Sequence, residues 1–228
     1  MAKALAENRA VRTAIDKNRR EIDLGGPQRK LSGWSEVSKK RKSIIQDEQD
    51  PLVRLNSSSS GNHLPDILAS RLNVVFCGIN PGLRSATAGY HFANRSNRFW
   101  RVLHRAGFTP EELLPQDAPS LLGYRCGLTS AVARPTICAN DLKRKDFIDG
   151  RPELERKIRR YRPRCLAFLG KPACSAIFNR RELSWGRQEM RFGGAAVWIL
   201  PNPSGLNRAF TLDALITAYR ELFESVGA

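Results

Sequence analysis

Residues 73–83 read NVVFCGINPGL, a short apolar run followed by a loop rich in Gly and Pro. The run 73–77 holds β-branched and aromatic side chains without polar alternation, which is typical of a strand buried on both faces of a parallel sheet. Gly78 ends the run, and the Asn-Pro-Gly that follows predicts a turn. We therefore expect a buried strand whose carboxyl end opens into a loop that carries polar groups.

Strands and helices alternate along the chain on the carboxyl side of this stretch. Apolar runs at 165–169 and 197–200 predict two more buried strands. Apolar periodicity predicts helices at 96–106 (capped by Ser96), 153–161, 170–178 and 212–224. This alternation indicates an α/β fold in which a small, mostly parallel sheet is flanked by helices on both faces.

Ligands of such sheets bind outside the carboxyl ends of the strands. The loops that follow the first and last predicted strands, 78–92 and 201–208, both contain an Asn-Pro turn with a nearby glycine, Asn-Pro-Gly in the first and Asn-Pro-x-Gly in the second. We therefore expect the residues that bind a ligand or carry out chemistry to lie in these two loops.

The N-terminal part differs in composition from the rest of the chain. Residues 1–60 contain 13 Lys or Arg and 8 Asp or Glu, few apolar clusters, and a run of four serines before Gly61. We expect residues 1–65 to form a basic, disordered extension and residues 66–228 to form one folded domain. The extension is interpreted as a solvated tail or as an arm that adds DNA affinity, and the basic run 39–42 leaves a nuclear-targeting signal open.

The formal net charge of +16 over 228 residues favours a polyanionic partner. Nucleic acid is favoured over a membrane surface, because the sequence has no apolar stretch of 18 residues and no secretory leader. The five cysteines form no Cys-x-x-Cys pair, so they indicate buried, reduced thiols of an intracellular protein and no metal site.

Four stretches together resemble the mismatch-specific uracil/thymine DNA glycosylases: VVFCGINPGL, NRFWRVLHRAGF, YRCGLTSAVARPT and WILPNPSGLNR, within about 72–223. The resemblance to the bacterial G/U mismatch-specific branch implies a sheet of four or five strands. It also implies a monofunctional enzyme of base excision repair, without metal or other cofactor, that releases uracil opposite guanine in double-stranded DNA and leaves an abasic site. Thymine and etheno-cytosine remain open as further substrates, and a lesion-sensing protein that binds DNA without catalysis remains an alternative.

The resemblance also implies roles for residues of the first loop and of the segment near Ser130. Asn80 would hold the attacking water, backbone N–H groups around Ile79 and Ser85 would donate to the uracil oxygens, and the flipped base would stack on Phe92. Ser130 departs from the Lys or Asn that family members carry near the base pocket, which affects substrate range and rate more than reaction class. Local alternatives are an Asx-turn for Asn80, core packing for Phe92 and a structural or solvent-exposed role for the neighbouring His91.

In the second loop, the resemblance implies that Gly205, Leu206, Asn207 and Arg208 form a wedge that replaces the flipped nucleotide and contacts the opposite strand. A core position at a helix entrance is the alternative for Leu206. The expected partner is duplex DNA containing uracil or a related lesion, with no membrane contact, and the protein is expected to be a monomer. Its expected location is the cytoplasm, associated with the nucleoid, in a bacterium, or the nucleus in a eukaryote.

Overall fold

The computed structural model describes residues 64–227, so the predicted N-terminal extension lies almost entirely outside the described residues. Five strands form a single sheet: β1 (Val74–Gly78), β2 (Cys126–Ser130), β3 (Cys165–Leu169), β4 (Gly186–Phe192) and β5 (Ala195–Leu200). Their spatial order is β2-β1-β3-β5-β4, and all neighbours are parallel except β4, which pairs antiparallel with β5. The predicted small, mostly parallel sheet is confirmed.

Five α-helices connect or flank these strands: α1 (Leu83–Ala88), α2 (Phe99–Ala106), α3 (Arg144–Tyr161), α4 (Lys171–Phe178) and α5 (Leu212–Gly227). Two 3₁₀ segments, Pro115–Tyr124 and Ala139–Asp141, lie before β2 and α3. None of the helices in the described region is both long and apolar enough to span a lipid bilayer.

The central strands are buried on both faces: their side chains point alternately to the two sides of the sheet, and helices cover each side. Phe76 of β1 packs with α2 and α5 in one apolar cluster, whereas its neighbours Val75 and Cys77 pack with α3 and α4 in another. Every residue of β1 and β3 is buried. The predicted helical layers on both faces are therefore confirmed, and the carboxyl ends of the strands are left to form a site.

Two strands were not predicted from the sequence. Strand β2 reads CGLTS and is buried apart from Ser130. Its glycine and its two hydroxyl residues interrupt the apolar pattern that would predict a buried strand. Strand β4 reads GRQEMRF and lies at the edge of the sheet. Every second residue of this strand is exposed, so it lacks the continuous apolar run of the central strands. Its charged side chains suit an edge that must resist pairing with other chains.

Two predicted helix starts were wrong. Helix α3 begins at Arg144 instead of near residue 153, and it accommodates Pro152 within its length. Helix α2 begins at Phe99, three residues after the predicted cap Ser96, whose hydroxyl donates to Asn94. The Asn97 side chain accepts the Phe99 backbone N–H at 2.9 Å, so an amide oxygen satisfies the first turn instead of the serine hydroxyl.

Candidate active site

The loops that follow β1 and β2 lie side by side at the carboxyl edge of the sheet. Gly78 and Ser130, the last residues of the two strands, are in register. The pairing continues past the strands, because the Ala131 N–H donates to the Gly78 carbonyl at 2.9 Å and the Val132 N–H donates to Ile79 at 3.0 Å. The first candidate loop is thus fixed against a segment that sequence reasoning had not assigned to a strand.

The Asn80 side chain is fixed by this neighbouring segment. Its Nδ2 donates to the Arg134 carbonyl at 2.9 Å and to Thr136 Oγ1 at 2.8 Å. Both amide hydrogens are therefore engaged, while among the described residues Oδ1 accepts no hydrogen bond. The alternative of a local Asx-turn is wrong, because within the described part of the chain no backbone N–H donates to Oδ1, and the Nδ2 partners lie 54 and 56 residues along the chain.

Thr136 is a residue of this site that sequence reasoning missed. Its side chain accepts from Asn80 and donates to the Cys138 carbonyl at 2.8 Å, while its backbone N–H donates to Pro81 at 3.1 Å. The threonine is buried. It therefore sets which way the Asn80 amide faces, and only the stretch ARPT hinted at a fixed turn at this position.

Gly78, Phe92 and Ser130 lie close together at the carboxyl edge of the sheet. A methyl group added at Gly78 would lie 3.7 Å from Phe92 Cζ and 3.8 Å from Ser130 Oγ. The missing side chain of the glycine therefore leaves room for about a methyl group between an aromatic ring and a hydroxyl group. An aromatic ring and a nearby hydroxyl group are groups that commonly contact a flat heterocycle.

Phe92 is held in an unusual backbone conformation, with a φ of 53° that lies in the left-handed region. The next residue, Ala93, donates its N–H to the Ser85 hydroxyl at 3.1 Å. The Phe92 ring stacks on Phe99 with 4.0 Å between centroids and 24° between planes. One face of this half-buried ring is thus supported by the core, and buried Ser85 anchors the turn that carries it.

His91, in contrast, has a structural position. It is buried, and its Nε2 lies 2.9 Å from the Pro65 carbonyl oxygen. Its own carbonyl accepts the Trp100 indole N–H at 3.3 Å. The structural alternative for this histidine is confirmed, because its ring packs under the segment that enters the domain.

The two candidate loops meet across Gly170, which follows β3. A methyl group added at Gly170 would lie 3.6 Å from Ile79 Cδ1 and 3.7 Å from Asn202 Cβ. Because β3 lies between the parallel strands β1 and β5, both Asn-Pro turns reach the same edge of the sheet. The structure thus brings the Asn80 loop and the 201–208 loop together.

Leu206 is presented at the tip of the second loop, with 78% of its surface exposed. A core position for this leucine is therefore wrong. Asn202 Oδ1 accepts the Ser204 N–H at 2.9 Å, and Asn207 Nδ2 donates to the Asn202 carbonyl at 2.8 Å. The Asn207 side chain thus braces the loop from within, while Gly205 and Arg208 are exposed beside Leu206.

Arg98 fixes the backbone of the second loop. This residue was not among those predicted from the sequence to contribute to the site. Its guanidinium donates four hydrogen bonds to carbonyl groups of that loop and of Phe210, at 2.8–3.3 Å: to Pro203, Ser204, Asn207 and Phe210. Its backbone N–H donates to Pro203 as well, at 3.0 Å. Arg98 and Phe99 are adjacent, so the start of α2 supports both the exposed leucine loop and the Phe92 ring.

The buried thiols of Cys77 and Cys174 are not suited to act as nucleophiles. Burial raises the pKa of Cys77 far above its usual range, with the nearby Asp66 carboxylate adding to the effect, and burial raises the pKa of Cys174 to about 12. Protonated thiols are poor nucleophiles. Within the stretch 64–227, no three His, Cys, Asp or Glu side chains are grouped as metal ligands would be.

Comparison with known proteins points to one family. A sequence model described as the Uracil DNA glycosylase superfamily matches residues 65–223. A Methanosarcina acetivorans protein, solved by solution NMR and described provisionally as a uracil DNA glycosylase, is 19% identical with a TM-score of 0.49. The match covers 71% of this chain and 97% of that chain.

Proposed function

The chain belongs to the uracil DNA glycosylase superfamily, and from this premise we propose that it hydrolyses the N-glycosidic bond of uracil opposite guanine in double-stranded DNA. Thymine and etheno-cytosine are further candidate bases. The observation that carries the proposal is the Asn80 amide, whose Nδ2 is held by two hydrogen bonds while its oxygen accepts none from the described residues, on the loop two residues after Gly78.

The chemistry proposed for Asn80 is positioning without proton transfer. An amide oxygen is not basic enough to remove a proton, but it can accept a hydrogen bond from a water molecule. With both Nδ2 hydrogens engaged by the protein, Oδ1 would be free to hold the water for attack on the sugar C1′. The C1′–N1 bond breaks as the C1′–oxygen bond forms, the electron pair leaves with the base, and the water releases a proton to solvent.

The pocket would recognise the flipped base by stacking and by hydrogen bonds. The uracil ring would stack on the exposed face of Phe92, whose other face is covered by Phe99. Ser130 Oγ and backbone N–H groups near Ile79 and Ser85 would donate to the uracil oxygens and stabilise the negative charge that develops there. The short Ser130 hydroxyl carries no charge, so we expect neutral hydrogen bonds to determine which base is accepted.

The second loop would act on the duplex. Exposed Leu206 has the size and position to enter the base stack in place of the flipped nucleotide, and Arg208 is exposed beside it to approach the orphaned guanine. Unstacking a base from duplex DNA costs a few kcal/mol, and a leucine in the gap offsets part of that cost.

Substitution of Asn80 tests the proposal. We expect Asn80→Ala to lower single-turnover uracil release from a U·G duplex at least about 100-fold, the scale expected for removal of a positioning group, with duplex affinity nearly unchanged. The matched control is Asn140→Ala, which removes an exposed asparagine amide from the Ala139–Asp141 segment and should leave the rate unchanged.

Two results would contradict the proposal in different ways. If Asn80→Ala retains activity within a few-fold of the unsubstituted protein, the water-positioning role is wrong. If the unsubstituted protein binds uracil-containing duplex but releases no base from any substrate, the lesion-sensing alternative replaces the enzyme.

A further inference from the structure

Arginines are concentrated at the amino ends of the central strands, opposite the candidate active site. Arg125 immediately precedes β2 and Arg164 immediately precedes β3. Arg71 and Arg162 complete the group, since the Arg71 N–H donates to the Tyr161 carbonyl at 2.8 Å. We name these four residues, Arg71, Arg125, Arg162 and Arg164, the amino-edge arginines, and all four are exposed.

The backbone places the amino-edge arginines close together. The Arg125 carbonyl accepts the Asn73 N–H at 2.8 Å, and the Arg164 N–H donates to the Leu72 carbonyl at 2.9 Å. Arg125 and Arg164 therefore lie on either side of the chain that enters β1, about two strand spacings or ~10 Å apart. Arginine side chains of this spacing can contact successive groups of one extended polyanion.

Three of these arginines occupy backbone conformations that favour glycine. The φ angles are 57° at Arg71, 56° at Arg125 and 47° at Arg162. Left-handed conformations disfavour residues that carry a Cβ, and helices commonly end with glycine at such positions. The 3₁₀ segment before β2 and helix α3 are instead capped at their carboxyl ends by Arg125 and Arg162. Three charged side chains thus occupy positions where a glycine would be less strained.

The charge of this surface is not neutralised within the described part of the chain. Across residues 64–227, the ion pairs of arginine and lysine with carboxylates involve other residues, such as Arg159 with Glu155 and Lys157 with Asp66. An open groove of about 470 Å³ adjoins one of the four, Arg162, and is bordered on its other side by the Gly193-Gly194 turn. The surface therefore presents cations and an open groove to solvent.

We propose that the amino-edge arginines bind the phosphate backbone of a second DNA segment while the carboxyl edge engages the lesion. That the polyanion is DNA rests on the proposed function, whereas the surface itself is independent of it. Because the two edges lie at opposite ends of the strands, a straight duplex lying across one edge cannot also contact the other. One protein molecule would therefore hold two duplex segments and could pass from one to the other without becoming free.

The test removes the charge without straining the backbone. The variant Arg71→Gly/Arg125→Gly/Arg162→Gly places glycine at three positive φ angles, so we expect it to fold at least as well as the unsubstituted protein. The matched control, Arg101→Gln/Arg156→Gln/Arg220→Gln, removes the same charge from exposed positions on α2, α3 and α5. Sedimentation velocity of the full chain with excess undamaged 12-base-pair duplex gives the ratio of duplex to protein.

We expect two duplexes per protein for the unsubstituted chain and the control, and one for the glycine variant. Affinity for the second duplex should fall about tenfold or more. Its salt dependence should become shallower by about 0.9 in log–log slope for each phosphate that an arginine no longer neutralises. Uracil release from a U·G duplex by the glycine variant should equal that of the control.

Several outcomes would overturn the inference. A ratio of one for the unsubstituted chain would show that no second duplex binds. A ratio of two that persists in the glycine variant would assign the second site elsewhere. Loss of poly-glutamate binding by the variant, with no second duplex bound by the unsubstituted chain, would assign the surface to an acidic protein. If the unsubstituted chain binds two duplexes but releases no uracil, the proposed function fails and this inference stands.

Discussion

Replacing Arg98 by lysine separates the shape of the guanidinium from its charge. The arginine donates from three nitrogens to four carbonyl groups. A single ammonium keeps the charge but cannot occupy three nitrogen positions at once. We expect Arg98→Lys to keep about half of these hydrogen bonds and to release part of the loop that presents Leu206.

The expected size of the effect follows from the number of hydrogen bonds that the lysine cannot make. Two hydrogen bonds from a charged guanidinium, at about 1.5 kcal/mol each, amount to about 3 kcal/mol. At about 1.4 kcal/mol per factor of ten, the ratio of ordered to released loop falls roughly 100-fold. Only duplex substrate would need the proposed wedge, so uracil release from a U·G duplex should fall, by up to about this factor, whereas release from single-stranded DNA should stay within about threefold.

The assay compares single-turnover rates on the two substrates, together with amide hydrogen exchange in residues 201–211. Arg101→Lys is the matched control, because Arg101 lies on the same helix and pairs with Glu112 at the surface. Faster exchange in the loop should accompany the duplex-specific decrease in rate. Equal decreases on duplex and single-stranded DNA, or an unchanged rate despite faster exchange, would refute the reasoning.

Three further predictions concern the pocket and the wedge. Gly78→Ala should abolish uracil release, because the new methyl group occupies the space proposed for the base. It should not lower the melting temperature, because the methyl group makes ordinary contacts with Phe92 and Ser130. Binding of free uracil, measured by equilibrium dialysis, should disappear together with the activity. Thr136→Val removes one of two acceptors of the Asn80 amide and should slow release about tenfold at unchanged duplex affinity, and an unchanged rate would show that the Arg134 carbonyl alone suffices. Leu206→Ala should slow release from a U·A pair more than from a U·G mismatch and hardly affect single strands; equal decreases in a side-by-side rate comparison would require withdrawal of the wedge role.

The sequence predicted those parts of the fold whose burial is uniform. Strands β1, β3 and β5 are continuous apolar runs, so their identity as buried strands follows from composition alone. Strand β2 escaped prediction because its Thr129 is polar, yet the threonine is buried and donates to Asp66 at 2.7 Å. That partner lies 63 residues earlier in the chain, and no local pattern reveals such a contact.

Within the candidate site, only the residues of the two Asn-Pro loops and Ser130 could be predicted from the sequence. Asn80 and Leu206 follow from the resemblance, and the structure places them on loops that meet at one edge of the sheet. Thr136 and Arg98 could not be predicted, because each acts through carbonyl or amide groups that are remote in sequence. The Arg98 side chain contacts residues 105 to 112 positions further along the chain. The roles of Thr136 and Arg98 depend on the direction of their side chains, which the hydrophobic periodicity of the sequence does not encode.

The long-range fixation of Asn80 also bears on when the protein becomes active during folding. Its amide is held by residues 54 and 56 positions later, on the segment that follows β2. Contacts between residues so far apart form only after the entropy cost of closing the intervening chain has been met. A chain that has not yet docked β2 against β1 therefore has the motif but not the oriented amide. We expect nascent and partly unfolded molecules to be inert toward DNA bases, so that activity itself reports completion of the fold.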